Sequence, residues 1–239
     1  MISSPQNEKL KLVRKLRDPK HREREGLFVT EGEDLLEAGL AAGASPHFVL
    51  AAGGSGLGGE EVEPALLADV STLGSGTRAI AVWPRRWVDS PESPCVYLHG
   101  VSDPGNVGAI VRTAHALLGG SVVLGPGCAD PHSPKATRAT MGSVFGQSLV
   151  RTEVNATPKP RAALVAHGGG GLDVLDGAAT LCLGSEREGL PDEVLAECDF
   201  EVSIPLRAGG AESLNVAAAA AIGCERISSR GMREAQSDA

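Results

Sequence analysis

Apolar residues return every third position through residues 7–17, where Leu10, Val13 and Leu16 share one side of a predicted short helix. "GLFVTEG" follows as a strand ending in a turn, and "EDLLEAGLAAG" restores helical spacing until it stops at Gly43. "HFVLA" and "RAIAVW" predict further strands, with "EPALLADVSTLGS" between them as a helix or an irregular segment. Short strands alternating with helices predict an α/β domain. "PRRWVDSPESP" then breaks the pattern with three prolines, which predicts a linker over 84–94.

From residue 95 the alternation restarts. "CVYLHGV" predicts a buried strand, "NVGAIVRTAHALLG" a helix, "SVVLG" a strand, "SPKATRATMG" a helix and "SLVRTEV" a strand. "TPKPRAALVAHGGGG" fits a helix with proline at its start and glycine beyond its end. "GLDVLD", "ATLCLG" and "FEVSIPL" predict strands, "PDEVLAEC" a helix, and the last helix spans about 213–227. The strands are apolar without alternation, as in a parallel sheet covered on both faces. The expected organisation is a domain over 1–90, a second over 95–228, and a polar flexible tail over 229–239.

Composition narrows the class. A chain with 42% hydrophobic and 22% charged residues is expected to be globular and soluble. No apolar stretch reaches the roughly 18 residues of a membrane span. "MISSPQNEKLKLVRK" lacks the apolar core of a secretory signal, so a cytoplasmic location is expected. The five cysteines are scattered and form no C-x-x-C pair, and the six histidines show no ligand spacing. Reduced thiols are therefore expected, with neither a disulfide frame nor a metal site. The formal net charge of −8 argues against nucleic acid, but its distribution does not. Residues 1–30 hold eight basic residues, Lys9, Lys11, Arg14 and Arg22 among them, against four acidic ones. Such a segment on an acidic body suits phosphate contact; a solvated helix face is the alternative.

Three loops follow predicted strand ends, where open α/β sheets hold ligands. In "SDPGNVGAIVRTA", Asn106 fits a helix N-cap. Arg112 stands four residues after Gly108 on the same face and leans toward the helix N-terminus, over the space that glycine leaves. A surface arginine on an amphipathic helix is the alternative. In "LGSEREGLP", Gly184 and Gly189 allow close backbone approach; an ordinary strand-to-helix turn would read the same way. No G-x-G-x-x-G or Walker lysine is present, which removes dinucleotide and P-loop readings. In "IPLRAGGAESLNVA", Ser213 or Glu212 can cap the last helix. That leaves Asn215, a mediocre helix former, unexplained in its first turn.

Taken together, "NVGAIVRTA", "LGSEREGL" and "IPLRAGGAESLNVA" resemble, in order and spacing, motifs one to three of the SpoU (TrmH-like) RNA ribose 2′-O-methyltransferases of the SPOUT superfamily. "KLVRKLRDPKHREREGLFVTEGEDLLEAGL" is similar to that family's substrate-binding domain, an α/β fold like certain ribosomal proteins. The resemblance implies a C-terminal trefoil-knotted domain with a parallel sheet, a small N-terminal α/β RNA-binding domain, and a homodimer. It implies S-adenosylmethionine enclosed by backbone around Leu183, Gly184, Gly189, Ile204, Leu206 and Leu214. It further implies methyl transfer to a ribose 2′-hydroxyl of RNA, ribosomal RNA before transfer RNA. Arg112 would act on the hydroxyl, as base or as stabiliser of the alkoxide. Asn106, Arg138, Glu186 and Ser213 would position RNA or reacting groups, and Asn215 would support the loop. A non-catalytic RNA-binding protein with the same fold is the remaining alternative.

Overall fold

Strands buried on both faces build the first sheet. The computed structural model describes residues 1–74 and 76–237 and divides into two compact units. The first comprises Met1–Arg86 with Asp130–Gly146. Its strands β1 (Leu27–Glu31), β2 (Phe48–Ala52), β3 (Glu60–Val62) and β4 (Ala79–Pro84) lie in the order β1-β4-β2-β3. β4 runs antiparallel to both neighbours, with Phe28 opposite Trp83 and Val29 opposite Val82. Val29, Ile80 and Val82 point to one face and pack with Leu10, Val13 and Leu16 of the first helix, α1 (Glu8–Lys15). Leu67 and Val70 of α4 (Pro64–Val70) join the same cluster.

The opposite face is aromatic. Phe28, Trp83 and Phe145 pack as tilted and edge-on rings, with centroids 4.7 Å apart for Trp83 and Phe145. Gly39 explains a glycine inside α3 (Glu33–Ala41): a Cβ there would come within 2.6 Å of the Trp83 ring and 3.0 Å of Phe145.

Two elements of this unit carry weak sequence signals. The helix α2 (Pro19–Glu25) has a polar sequence and is held by its Asp18 cap and by Arg22. The stretch Asp130–Gly146, with α6 (Pro134–Thr140), begins forty residues beyond the expected boundary at 90 yet packs in this first unit. Asp130 ties it there. Its carboxylate accepts hydrogen bonds from Arg22 Nε at 2.7 Å and from the His132 backbone at 2.9 Å, with Arg85 Nη2 at 3.3 Å. Burial pushes the Asp130 carboxyl up, but the bonds from His132 and Arg22 and the charge of Arg85 outweigh it and hold it well below the usual carboxylate range. Burial also lowers the pKa of His132.

Arg22 was expected as an RNA contact, and here the structure corrects the sequence reading. The side chain is 3% exposed, and its Nη1 donates to the carbonyls of Leu16 and Arg17. A guanidinium so enclosed fixes α2 and cannot reach a phosphate. Arg22→Ala is expected to destabilise the fold by about 3–5 kcal/mol, the cost of breaking a buried pair, with Arg85 keeping it near the lower end. Thermal denaturation checks this. The pairing of Asp130 stabilises the fold above its unfolded pKa near 4 and is lost as pH falls through the lower folded value. The melting temperature of the Arg22→Ala variant should therefore depend less on pH at the acid end.

The second unit comprises Trp87–Ala129 and Gln147–Ala239. Its strands are β5 (Cys95–Leu98), β6 (Ser121–Leu124), β7 (Ser148–Arg151), β8 (Arg161–Leu164), β9 (Thr180–Leu183) and β10 (Phe200–Val202). They form one parallel sheet in the order β10-β8-β9-β5-β6-β7. β5, β6 and β9 are buried along their whole length, which accounts for their unbroken apolar runs. Tyr97, Val123, Ala163 and Cys182 pack on one face with Val194 of α7 (Asp192–Leu195). The last helix, α8 (Val216–Ser237), packs against α5 (Pro104–Leu117) and β9. Gly223 gives α8 its close approach, since a Cβ there would meet Leu181 at 2.6 Å.

Three elements differ from expectation. Residues 161–164, expected within a helix, form β8. Alanine's helix preference is overridden because the apolar run between Pro160 and the glycines at 168–171 is too short for a helix and is buried between β9 and β10. Residues 171–176 were expected as a strand; the structure instead has a 3₁₀ turn over Leu172–Gly177 with only Leu175 buried. α8 starts three residues later than expected and continues through most of the segment read as a tail, to Ser237; residues 238–239 lie outside the described residues.

Candidate active site

α5 begins with an acid rather than an amide. Asp103 is the N-cap, its side chain accepting from the backbone N–H groups of Gly105 at 2.6 Å and Asn106 at 3.3 Å, with Pro104 in the first helical position. Asn106, expected to cap, instead sits in the first turn, and its side chain is released for longer-range contacts. Its Nδ2 donates to Glu186 Oε1 in the loop after β9. Its Oδ1 accepts from Asn215 Nδ2 at 3.1 Å, in front of α8. Asn215 is also the cap of α8, where Ser213 or Glu212 was expected. Its Oδ1 accepts from Ala217 N at 2.9 Å and Ala218 N at 3.4 Å. That answers why an asparagine precedes the alanines: it satisfies the open helix end with one atom and holds Asn106 with the other. Three loops far apart in sequence thus meet through Asn106, Glu186 and Asn215.

The loop after β9 closes on itself. Ser185 and Gly189 exchange backbone hydrogen bonds of 3.1 and 3.0 Å, and Ser185 Oγ accepts from Glu188 N at 3.1 Å. Gly189 takes φ +70°, a conformation that favours glycine. A Cβ on Gly184 would overlap the backbone of Gly189 and Leu190. So Gly184 is required by the loop itself.

Beside this loop lies a cavity of about 440 Å³ at the C-terminal ends of the adjacent strands β8, β9 and β10. All six expected cofactor positions line it: Leu183, Gly184, Gly189, Ile204, Leu206 and Leu214. Glu186 and Ser213 line it too. Leu206 is 36% and Leu214 39% exposed, so two leucines present apolar surface where a ligand could cover it. The residues Leu164–His167 form a further wall that the sequence reading missed. They were hidden by the helix expected over β8. The shortness of the apolar run between Pro160 and the glycines at 168–171 was the signal for a strand there.

Arg112 lies outside the cavity lining. It is exposed on α5 and makes no hydrogen bond or ion pair among the described residues. Gly105 and Gly108 occupy the same stripe of the helix toward its N-terminus.

The remaining basic candidates belong to the first unit. Lys9 pairs with Glu60 and lies over the Phe48 ring, 5.4 Å from its centroid. Lys11 pairs with Glu8 at 2.8 Å and Arg14 with Asp69 at 2.7 Å, in both cases on the surface. Arg138 Nη1 donates to Thr72 Oγ1 at 2.9 Å, and that hydroxyl donates to the buried Glu31 carboxylate at 2.8 Å. Within the second unit the structure therefore gathers Asn106, Glu186, Ser213 and Asn215 at one site.

Comparison with known proteins agrees with this geometry. Residues 7–75 match the MRM3-like substrate binding domain, and residues 93–225 match the SpoU rRNA Methylase family. The 23S rRNA (guanosine(2553)-2′-O)-methyltransferase RlmP of Bacillus subtilis is 30% identical, over 92% of this chain and 96% of that protein. The 23S rRNA (uridine(2479)-2′-O)-methyltransferase of Streptomyces viridochromogenes is 36% identical over 50% of this chain and 46% of its own length. A crystal structure of an AdoMet-bound rRNA methyltransferase from Sinorhizobium meliloti superposes with a TM-score of 0.82 at 28% identity, covering 95% of this chain and 96% of that one. The second-unit sheet, the three converging loops and a match spanning more than half of the sequence lead to one conclusion: the chain belongs to the SpoU rRNA Methylase family.

Proposed function

We propose that this protein transfers the methyl group of S-adenosylmethionine to a ribose 2′-hydroxyl of ribosomal RNA. The observation that carries the proposal is the meeting of Asn106, Glu186 and Asn215 at the edge of a cavity lined by all six positions expected to hold the cofactor. The fit is physical. A volume of about 440 Å³ falls within the range of small-molecule sites, and the exposed leucines Leu206 and Leu214 suit an aromatic ring. Leu183, Gly184, Gly189, Ile204, Leu206 and Leu214 would hold the cofactor, which when bound supplies an electrophilic methyl group. The names of the relatives, both 23S rRNA 2′-O-methyltransferases, favour ribosomal RNA as substrate.

The chain's own residues then have defined tasks. The ribose hydroxyl is a weak nucleophile until its proton leaves, and Arg112, exposed and without a side-chain partner among the described residues, is assigned to act on it. An arginine with pKa above about 12 is a poor base, so holding the developing alkoxide is its role. Asn106, itself held by Asn215, orients Glu186 through an amide hydrogen bond to its carboxylate, and Ser213 offers a hydroxyl on the cavity wall. The acidic partners of Lys9, Lys11 and Arg14 are surface residues, and such exposed ion pairs are weak enough for RNA phosphates to displace them. Arg138, fixed by Thr72, adds a further phosphate contact.

A test combines calorimetry with S-adenosylmethionine and transfer of labelled methyl groups to ribosomal RNA from a deletion strain. Binding with transfer to one mapped 2′-hydroxyl is the expected result. Binding without transfer to ribosomal or transfer RNA would leave a non-catalytic RNA-binding protein.

The trefoil knot, the two-fold dimer and a cytoplasmic site of action belong to the same proposal. Among the described residues no helix is long and apolar enough to cross a membrane. Leu117 of α5 and Ile222 of α8 are 37% and 36% exposed on helices that pack against each other, which supports a second copy covering this pair. Sedimentation at micromolar concentration is expected to give a dimer, and a monomer would contradict it.

A further inference from the structure

The aromatic face of the first unit does more than pack. It borders a second cavity, of about 250 Å³, lined by Phe28, Trp83 and Phe145, by His132, and at its rim by Ser45 and Arg86. The cavity is composite in sequence. Phe28 and Ser45 lie within the match to the substrate binding domain, and His132 and Phe145 within the match to the methylase family. The walls are fixed. Trp83 Nε1 donates to Thr30 Oγ1 at 2.8 Å, which sets the plane of the indole. The His132 ring stands 4.8 Å from Phe28 and is held by Arg85 Nε at 3.4 Å, while its backbone bonds Asp130. Trp83 and Phe28 are buried, whereas Phe145 is half-buried.

The rim differs from the walls. Arg86 is exposed and makes no hydrogen bond or ion pair among the described residues, although the neighbouring Arg85 is buried in a charge cluster. Ser45 is exposed, and its hydroxyl has no partner among the described residues. A pre-formed aromatic recess with one imidazole in its wall, a hydroxyl at its mouth and a free guanidinium beside it is complementary to a flat heteroaromatic ring that carries a negative charge. A nucleotide of single-stranded RNA has both parts: a base to stack on aromatic side chains and a phosphate for the arginine.

We propose that this cavity receives one unpaired base of the RNA substrate, with Arg86 on an adjoining phosphate and Phe145 as the stacking ring. The inference rests on the RNA methyltransferase reading and assigns that reading a recognition subsite in the first unit.

Trp83 provides the test, because only one other tryptophan, Trp87, is present and Trp87→Phe leaves Trp83 as the sole reporter. In the full-length Trp87→Phe protein, a short single-stranded RNA of mixed sequence is expected to quench Trp83 emission saturably, and heparin to leave it unchanged. Ser45→Leu, which plugs the mouth from an exposed loop position, is expected to remove the quenching. It should weaken RNA affinity by roughly 5- to 100-fold, the equivalent of losing one base–aromatic stack. Arg86→Ala should weaken affinity and flatten its salt dependence. Calorimetry with S-adenosylmethionine should give the parent value for both variants. Parent-like RNA affinity and methyl transfer by Ser45→Leu would overturn the subsite and leave the methyltransferase reading standing. Equal quenching by heparin would reduce the site to a charge contact and also overturn it. Failure of the parent protein to methylate any RNA would instead count against the reading on which it rests.

Discussion

Arg112→Ala is expected to slow methyl transfer by roughly 10²- to 10⁴-fold, the range for removing a general base or a charge-stabilising donor. The fold should not suffer. Arg112 is exposed and engages no described residue, and alanine is the better helix former. Cofactor affinity should stay at the parent value, because Arg112 does not line the cavity. Lysine at the same position separates two roles: it keeps the charge and loses the planar fork. Rescue by Arg112→Lys to near the parent rate, with an unchanged pH profile, would identify alkoxide stabilisation by charge. Single-turnover rates for Arg112→Ala equal to the parent, at saturating RNA and cofactor, would return Arg112 to the status of a surface residue.

Gly184→Val is expected to weaken S-adenosylmethionine binding by about 5- to 150-fold, which is the 1–3 kcal/mol of an overpacked site drawn from the binding free energy. The structure changes the reason for the effect. On sequence alone the glycine served the approach of a ligand. In the structure the first atoms that a side chain would meet are the backbone of Gly189 and Leu190. Valine would therefore open the Ser185–Gly189 closure and carry Glu186 away from Asn106. Both affinity and rate should fall. Gly189→Ala is the informative contrast: its Cβ meets nothing within 4 Å, so only the strain of φ +70° is added and the loss should be smaller. Calorimetry on both variants, with melting curves to certify the fold, checks the order.

The residues that were legible are those whose neighbours in sequence are also their neighbours in space. The apolar runs of β5, β6 and β9 could be read directly, because each strand is buried on both faces over its whole length. The loops that follow them were legible through their glycines. The caps were less so. Asp103, Asn106, Ser213 and Asn215 all have side chains that can cap, and the choice between them depends on which one a distant loop recruits. β8 was misread because alanine's preference and the flanking proline and glycines suit a helix, while the sheet partners that override them lie elsewhere in the chain. Arg22 looked like its basic neighbours because its partner Asp130 is 108 residues away.

That distant partner has a consequence for how the protein is made. The first unit is not complete at Arg86: Asp130 supplies the carboxylate that pairs with Arg22, and His132 and Phe145 supply part of its aromatic wall. Domains of a nascent chain usually fold in the order of their synthesis. Here the N-terminal unit must wait about 60 residues beyond Arg86, or roughly 3–12 s at 5–20 residues per second, while β5, α5 and β6 emerge ahead of the segment it needs. During that interval Arg22 and Arg85 have no carboxylate from Asp130, and Trp83 lacks the ring of Phe145. A ribosome-bound chain ending before residue 130 is expected to be protease-sensitive in its first 86 residues, and one that exposes Gly146 beyond the exit tunnel to be resistant there.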